Sequence, residues 1–209
     1  MQPSLFKQEL ANSLSHGFGI IFGVVALPIL ISLAAMQDNV PGMVGAALFG
    51  FGFLMVYVFS TLYHSVATPR LKRVLRILDH ISIYFLIAGS YTPFLLQYLR
   101  DAKGITLLVV LWSLVLLGTI FKVFFTGKFE KLSTLVYLAM GWMLVFVGKS
   151  FLEKIPGDVM WMLAIGGLSY TLGVVFYRWK KLPYHHAIWH LFVLGGSICH
   201  YVAILLAVA

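Results

Sequence analysis

The stretch HAIWHLFVLGGSICHYVAILLAV, residues 186–208, decides the class of fold. Its 23 residues include no aspartate, glutamate, lysine or arginine. About 20 mostly apolar residues are enough for an α-helix to cross the hydrocarbon core of a bilayer. The stretch therefore predicts a membrane-spanning helix that carries two histidines in its first turns.

The rest of the chain repeats this pattern, and its composition agrees with it. Of the 209 residues, 61% are hydrophobic and only 11% are charged, a balance typical of a membrane protein with several spans. The turns between the apolar segments are short, and no linker is long enough to divide the chain. We therefore predict one all-α, seven-helix transmembrane domain over residues 1–209. Its spans are 14–36, 43–66, 77–99, 104–125, 132–152, 158–178 and 186–208.

Basic residues at the ends of these segments predict which way the bundle faces. Lysine and arginine are enriched in cytoplasmic loops, and one set of alternating ends carries eleven of them against four at the opposite ends. The N-terminus is therefore predicted to be cytoplasmic and the C-terminus external, the reverse of a G-protein-coupled receptor. The eleven are Lys7, Arg70, Lys72, Arg73, Arg76, Lys122, Lys128, Lys131, Arg178, Lys180 and Lys181, and the four are Arg100, Lys103, Lys149 and Lys154.

Charge and residue usage also exclude several classes of function. The net charge of +8 does not indicate nucleic-acid binding, because lipid headgroups and topology account for basic residues at the ends of spans. The single cysteine, Cys199, excludes an intrachain disulfide. Residues 1–13 lack an apolar region with a small-residue cleavage site, so we expect the first span to be a retained anchor. A retinal protein is excluded because no lysine follows Lys181 to form a Schiff base.

Four ionisable residues near the ends of apolar segments form the candidate functional site: His64, Asp79, His186 and His190. Ionisable groups inside membrane segments are costly to bury and usually mark a function. His64 lies six residues before Arg70, about 9 Å inside the end of its helix. The other three lie in the opening turns of their helices at the same face. The predicted topology therefore brings all four to the cytoplasmic leaflet.

The spacing of these residues is typical of a metal site. His186 and His190 are four residues apart, so both lie on one face of the helix and can hold one ion. Zinc favours nitrogen ligands, and three protein ligands with one open position are the catalytic pattern. Asp79 would orient or deprotonate a water whose pKa the metal can lower to about 7. We therefore predict zinc ligands at His64, His186 and His190, with Asp79 and Ser60, four residues before His64, as candidate catalytic residues.

Each of these residues taken alone also has an ordinary structural interpretation. Two histidines four residues apart occur by chance in many helices. His64 could be a core histidine that bonds to a neighbouring helix. Asp79 could pair with Arg76 or cap its helix at the positive end. Only the coincidence of all four at one depth favours a metal site.

The remaining histidines are weaker candidates. His16 opens the first span on the same face and either lines the pocket or lies in a helix interface. His80 points about 100° away from its neighbour around the helix, and His185 is interfacial. His200 lies about 15 Å beyond the histidine pair of the last span, too far to bind the same ion.

Five motifs distributed along the chain carry a specific resemblance. They are Ser13-Leu-Ser-His16-Gly, Ser60-Thr-Leu-Tyr-His64, Leu78-Asp79-His80, Ala88-Gly-Ser-Tyr-Thr-Pro93 and Pro183-Tyr-His-His186-Ala-Ile-Trp-His190. Together they resemble the bacterial hemolysin III family, the prokaryotic branch of the progestin and adipoQ receptors, which is related to the alkaline ceramidases. The resemblance implies a multi-pass protein of the bacterial inner (plasma) membrane, a seven-helix bundle with an inward N-terminus.

The same resemblance implies roles for individual residues. His64, His186 and His190 would bind zinc, while Asp79 and Ser60 would hold its water. Several relatives hydrolyse lipid amides, whereas the bacterial branch is named for haemolysis and is associated with membrane-lipid homeostasis. A membrane lipid is therefore the expected substrate or ligand.

Three functions stay open on the sequence. The first is a zinc-dependent hydrolase of a lipid amide or ester. The second is a regulator or receptor of membrane state in which zinc ties helices together. The third is a membrane-damaging cytolysin, which the lack of a regular polar stripe on the helices disfavours. Asp79 separates the first two, because a structural zinc site more often closes with a fourth protein ligand.

Overall fold

A computed structural model of the chain describes the backbone of residues 3–208 and the side chains of residues 5–145, 148 and 151–208. All regular structure within this part of the chain is helical, which confirms the predicted all-α class. The elements are α1 (Pro3–Met36), α2 (Val40–Ser65), α3 (Pro69–Tyr98), α4 (Ala102–Phe125), α5 (Glu130–Gly141), a 3-10 helix (Met143–Val147), α6 (Lys149–Leu152), α7 (Gly157–Arg178) and α8 (His185–Val208).

Six of these helices, α1 to α4 with α7 and α8, are long and apolar enough to cross a membrane. They correspond to six of the predicted spans, but two of them begin well before the apolar residues do. Helix α1 begins at Pro3 and α3 begins at Pro69, since proline fits the first turn of a helix and lysine and arginine are good helix formers. The extension of α1 places Glu9 and Asn12 on a helix that packs into the bundle.

The predicted span 132–152 is not one continuous helix. Helix α5 ends at Gly141, and a 3-10 helix and the single turn of α6 follow it. Gly148, between those two elements, has a φ of 76°, a left-handed conformation that glycine adopts without steric cost. The prediction of one continuous helix was wrong because hydropathy reports how apolar a segment is. It does not report whether the backbone hydrogen bonds of the segment are unbroken.

Tyr91 on α3 satisfies the backbone groups that the break leaves free. Its hydroxyl donates to the carbonyl of Gly141 at 2.6 Å and accepts from the backbone N–H of Leu144 at 3.2 Å. Trp142 donates from its indole to Thr171 of α7 at 3.2 Å. The interruption is therefore held by specific side chains on both neighbouring helices.

The bundle is arranged around a central space. Neighbouring helices follow the order α3, α2, α1, α8, α7 and α5, and α5 returns to α3, while α4 packs against α3. Helix α1 therefore lies between α2 and α8, and it contacts the end of α2 and the beginning of α8. This arrangement brings the histidines of α2 and α8 to one place.

Glycines allow α2 and α3 to approach closely. An added Cβ on Gly52 would lie 2.6 Å from the carbonyl oxygen of Phe85, and one on Gly45 would lie 2.5 Å from Cα of Pro93. Small residues at helix interfaces are a general device of membrane bundles, because packing rather than hydrophobicity holds the helices together.

We expect Gly52→Ala to destabilise the protein by about 1–3 kcal/mol, because the new methyl group meets backbone atoms that cannot move independently. Gly17→Ala is the control, since no atom lies within 4 Å of a Cβ built at that position of α1. Because alanine has a higher helix propensity than glycine, Gly17→Ala should stabilise the protein by up to about 1 kcal/mol. Thermal unfolding in detergent measures both, and equal melting temperatures for the two variants would contradict the packing described here.

Candidate metal centre

Three histidines converge where α2 ends and α8 begins. One ring nitrogen of each of His64, His186 and His190 lies within 4.8 Å of the others. His64 is in the last turn of α2, while His186 and His190 occupy successive turns on one face of α8. The ring centroids of the three are 4.6 to 5.3 Å apart. This is the three-nitrogen set that the sequence predicts.

The hydrogen bonds of His64 leave one of its nitrogens free for a ligand. Its Nδ1 lies 2.6 Å from Oε2 of Glu9, and a carboxylate accepts hydrogen bonds, so Nδ1 carries the proton. Its Nε2 is buried and has no hydrogen-bond partner among the described residues. An imidazole whose outer nitrogen donates to a carboxylate is the usual form of a zinc-binding histidine.

His190 is held in the same tautomer by α1. Its Nδ1 lies 3.1 Å from the carbonyl oxygen of Asn12 and 3.0 Å from Oγ of Ser15. The Ser15 hydroxyl donates its own hydrogen to that carbonyl at 2.8 Å, so it accepts from His190. The lone pair of His190 is therefore on Nε2.

The donor set fits a zinc ion. Zn–N bonds of 2.0–2.1 Å in a tetrahedral site place ligand nitrogens about 3.4 Å apart. The three nitrogens lie within 4.8 Å of one another, so the rings would move inward to hold an ion. Buried polar atoms without partners are costly, and the free Nε2 of His64 is such an atom that a metal would satisfy.

Ser60 and Asp79 lie beside the histidines. Ser60 is one turn before His64 on α2 and is 1% exposed. Its hydroxyl has no hydrogen-bond partner among the described residues. The Asp79 carboxylate lies near enough to Ser60, His64 and Arg76 to interact with them electrostatically. Arg76 forms its ion pair with Glu130, at 2.6 Å, and no ion pair joins it to Asp79 in the described part of the chain.

A cavity of about 530 Å³ extends from this site into the bundle. At the end near the histidine cluster it is lined by His64, Asp79 and His186, and further along α3 it is lined by Ile83, Ile87 and Phe94. The fifteen residues from Asp79 to Phe94 correspond to about 22 Å of helix. The cavity is therefore elongated, polar at one end and mostly apolar beyond it.

The other histidines take separate positions. His16 stacks on His190 with 3.6 Å between ring centroids and is 1% exposed, so it supports the site from α1. His80 and His185 line the cavity wall without joining the three-histidine cluster. His200 lies at the inner part of the cavity beside Tyr170, with 5.4 Å between ring centroids.

The sequence interpretation considered His16 but missed Glu9 and Asn12, the residues of α1 that contact His64 and His190. Glu9, Asn12 and His16 follow one another at intervals of three and four residues, which places them on one face of a helix. A polar stripe that precedes and enters an apolar span is the signal that would have found them. Glu9 also accepts from Lys72 of α3 at 2.9 Å, so it connects three helices.

Comparison with known proteins places the chain in a family. The family profile described as "Haemolysin-III related" matches residues 5–201. The chain is 46% identical over 199 residues to "Hemolysin-3 homolog" of Bacillus subtilis (strain 168), which covers 95% of this chain and 93% of the relative. It is 45% identical over 199 residues to "Hemolysin-3" of Bacillus cereus, with 95% and 91% coverage.

A more distant relative comes from animals. The human "Monocyte to macrophage differentiation factor" is 31% identical over 211 residues, with 97% of this chain and 85% of the relative covered. No solved structure gives a significant match. The motifs had indicated the same assignment, and the chain belongs to the haemolysin III family.

Proposed function

We propose that this integral-membrane protein binds zinc and hydrolyses an amide or ester bond of a membrane lipid, in support of membrane-lipid homeostasis. The observation that carries the proposal is the convergence of three histidine nitrogens within 4.8 Å of one another. They converge at the polar end of an otherwise apolar cavity, with Asp79 and Ser60 alongside. A site with three protein ligands leaves one position open for chemistry.

Each residue of the site would have a separate role in hydrolysis. Bound zinc would supply a Lewis acid that polarises a carbonyl group and lowers the pKa of water. Asp79 would take the proton of the attacking water and pass it to the leaving group. Ser60, whose buried hydroxyl has no full hydrogen bond, would donate to that water and hold it against Asp79. Glu9 would keep His64 oriented through its 2.6 Å contact with Nδ1.

The cavity supports a lipid as the substrate. Ligand sites are concave and mostly apolar, with a few placed polar groups and volumes of about 300–1,000 Å³. The cavity of about 530 Å³ lies in that range. Its apolar length beside α3 suits an acyl chain, and its polar end would receive the bond that is cleaved.

A regulatory protein with structural zinc is the second candidate. The observation in its favour is that the three ligands join α2 to α8, and a metal there would stabilise the bundle. The Asp79 carboxylate, which lies beside the cluster without being part of it, favours the hydrolase. A cytolysin has less support, although one relative is named "Hemolysin-3".

We further propose that the broken fifth segment crosses the membrane, which gives seven crossings in the plasma membrane of a bacterium. Two contacts support this. Glu130 at its start pairs with Arg76 near the beginning of α3, at 2.6 Å. Lys154 after its end lies 3.7 Å from Asp101, which follows the end of α3. The segment therefore begins and ends beside opposite ends of α3.

Seven crossings put the two ends of the chain on opposite sides of the membrane. A reporter fused at Met1 should be cytoplasmic and one fused after Ala209 should be external, as the distribution of basic residues requires. A further reporter after Asp101 should be external, which orients α3 independently. Accessibility of each reporter in intact cells is the measurement. Both termini on the same side would mean that the fifth segment does not cross.

The metal prediction concerns zinc content. Purified protein should carry about one zinc ion per chain, and His64→Ala, His186→Ala and His190→Ala should each deplete it. His185→Ala is the matched control, because this neighbouring histidine is outside the cluster. Elemental analysis measures the content, and removal of zinc should lower the melting temperature because bound metal stabilises the native state. Full zinc content in all three variants would exclude this ligand set.

The chemical prediction concerns Asp79. Asp79→Asn should keep most of the zinc and the fold, since it preserves shape, but should lower lipid hydrolysis by about 10²-fold or more, because an amide cannot accept the proton. Lipid turnover by the purified protein and the lipid composition of expressing cells are the measurements. Unchanged turnover and composition in Asp79→Asn, with zinc retained, would favour the regulatory function.

A further inference from the structure

Lys122, in the last turn of α4, does not behave as a lysine at the end of a span normally does. Such side chains usually extend along apolar surface and keep their ammonium group in the water or headgroup region. Lys122 is instead 1% exposed and turns into the bundle. Its Nζ donates to Oγ of Ser133 on α5 at 2.7 Å and lies 5.8 Å from the centroid of the Tyr137 ring.

The buried ammonium has no ion-pair partner among the described residues. An ammonium has three hydrogens to donate, and among the described residues the one hydrogen-bond partner of Lys122 is a neutral hydroxyl. Glu130 attracts the ammonium, but its 2.6 Å ion pair is with Arg76, and Asp79 lies near His64 and Ser60. A buried charge without a partner is strongly unfavourable, and an ionisable group at membrane depth is by default functional.

Lys122 also borders the cavity that contains the candidate metal centre. It lines the cavity together with Arg76, Glu130 and Tyr137. Tyr137 donates from its hydroxyl to the carbonyl of His80 at 2.9 Å, and His80 is the residue after Asp79. The ammonium therefore lies on the same stretch of cavity wall as the proposed reaction centre, at the cytoplasmic end.

We propose that Lys122, assisted by Arg76, forms a subsite for an oxyanion, a phosphate or carboxylate group carried by the lipid in the cavity. The subsite rests on the proposed function and narrows its substrate class to lipids with an anionic group near the bond that is cleaved. The oxyanion supplies the direct ion-pair partner that the described residues do not give Lys122. Arg76, whose side chain is 37% exposed at the rim, keeps its 2.6 Å ion pair with Glu130 and offers its remaining N–H groups to the oxyanion.

The test compares binding of phosphatidic acid and diacylglycerol with identical acyl chains, which differ only in the phosphate group, to the zinc-loaded protein, measured by native mass spectrometry. Wild-type protein should prefer the anionic lipid at least about tenfold, the effect expected of a charge-assisted hydrogen bond. Lys122→Met should lose this preference and Lys122→Arg should retain most of it. Lys128→Met is the matched control, since Lys128 is an exposed lysine six residues along the chain.

The melting temperature of each variant shows whether it is still folded. Replacement of a buried, unpaired ammonium by an apolar side chain of similar length should leave it unchanged or raise it, so Lys122→Met should remain folded. An undiminished anion preference in folded Lys122→Met would overturn the subsite. A loss of preference equal to that of Lys128→Met would also overturn it, because general surface attraction would then explain both.

Two further measurements show whether the oxyanion is a lipid headgroup or a free anion, and they test the subsite independently of the proposed hydrolase activity. Protection of the wild-type melting temperature by inorganic phosphate alone, absent in Lys122→Met, would support the subsite and assign it to the free anion. No effect of phosphate, together with the lipid preference, would assign it to a headgroup. Because binding is measured rather than turnover, the preference persists if hydrolysis fails. Turnover of a lipid that has no phosphate or carboxylate group, without any anion preference, would overturn the subsite alone.

Discussion

The contact between Glu9 and His64 is the interaction on which the histidine-bearing end of the bundle depends. One carboxylate oxygen lies 2.6 Å from Nδ1 of His64 on α2, and the other accepts from Lys72 on α3 at 2.9 Å. A carboxylate that is partly removed from water requires such partners, so α1 packs where both are in reach. Since α1 also binds His190 of α8 through Asn12, the polar face of one helix positions ligands from two others.

The polar face of α1 also determines the tautomers of His64 and His190. Because the outer nitrogens of His64 and His190 donate to acceptors on α1, their inner nitrogens are lone-pair acceptors. Lone pairs that converge in a buried space repel one another unless a cation or a proton lies between them. The arrangement is therefore unfavourable as simple packing and favourable as a ligand site, which distinguishes it from a set of ordinary core histidines.

Much of this could be read from the sequence, and the failures have physical causes. Apolar length predicts six helices correctly, and the four-residue spacing of His186 and His190 predicts their shared face, because both depend on local geometry. The break after Gly141 depends on Tyr91, fifty residues earlier in the chain, and no local pattern reports such a bond. Glu9 and Lys122 resemble ordinary interfacial charges in sequence, and only their tertiary partners reveal that they face inward.

The break in the fifth segment and the inward turn of Lys122 have a common explanation in the cavity. Non-helical backbone at membrane depth is tolerated where it is buried in protein or lines a cavity, and Gly141, Trp142 and Leu144 all line this one. Lys122 and the broken segment therefore border the same space. The polar groups that are most costly to bury in a membrane therefore lie around a single elongated cavity. Their energetic cost is understandable if that space holds a ligand with both a polar and an apolar part.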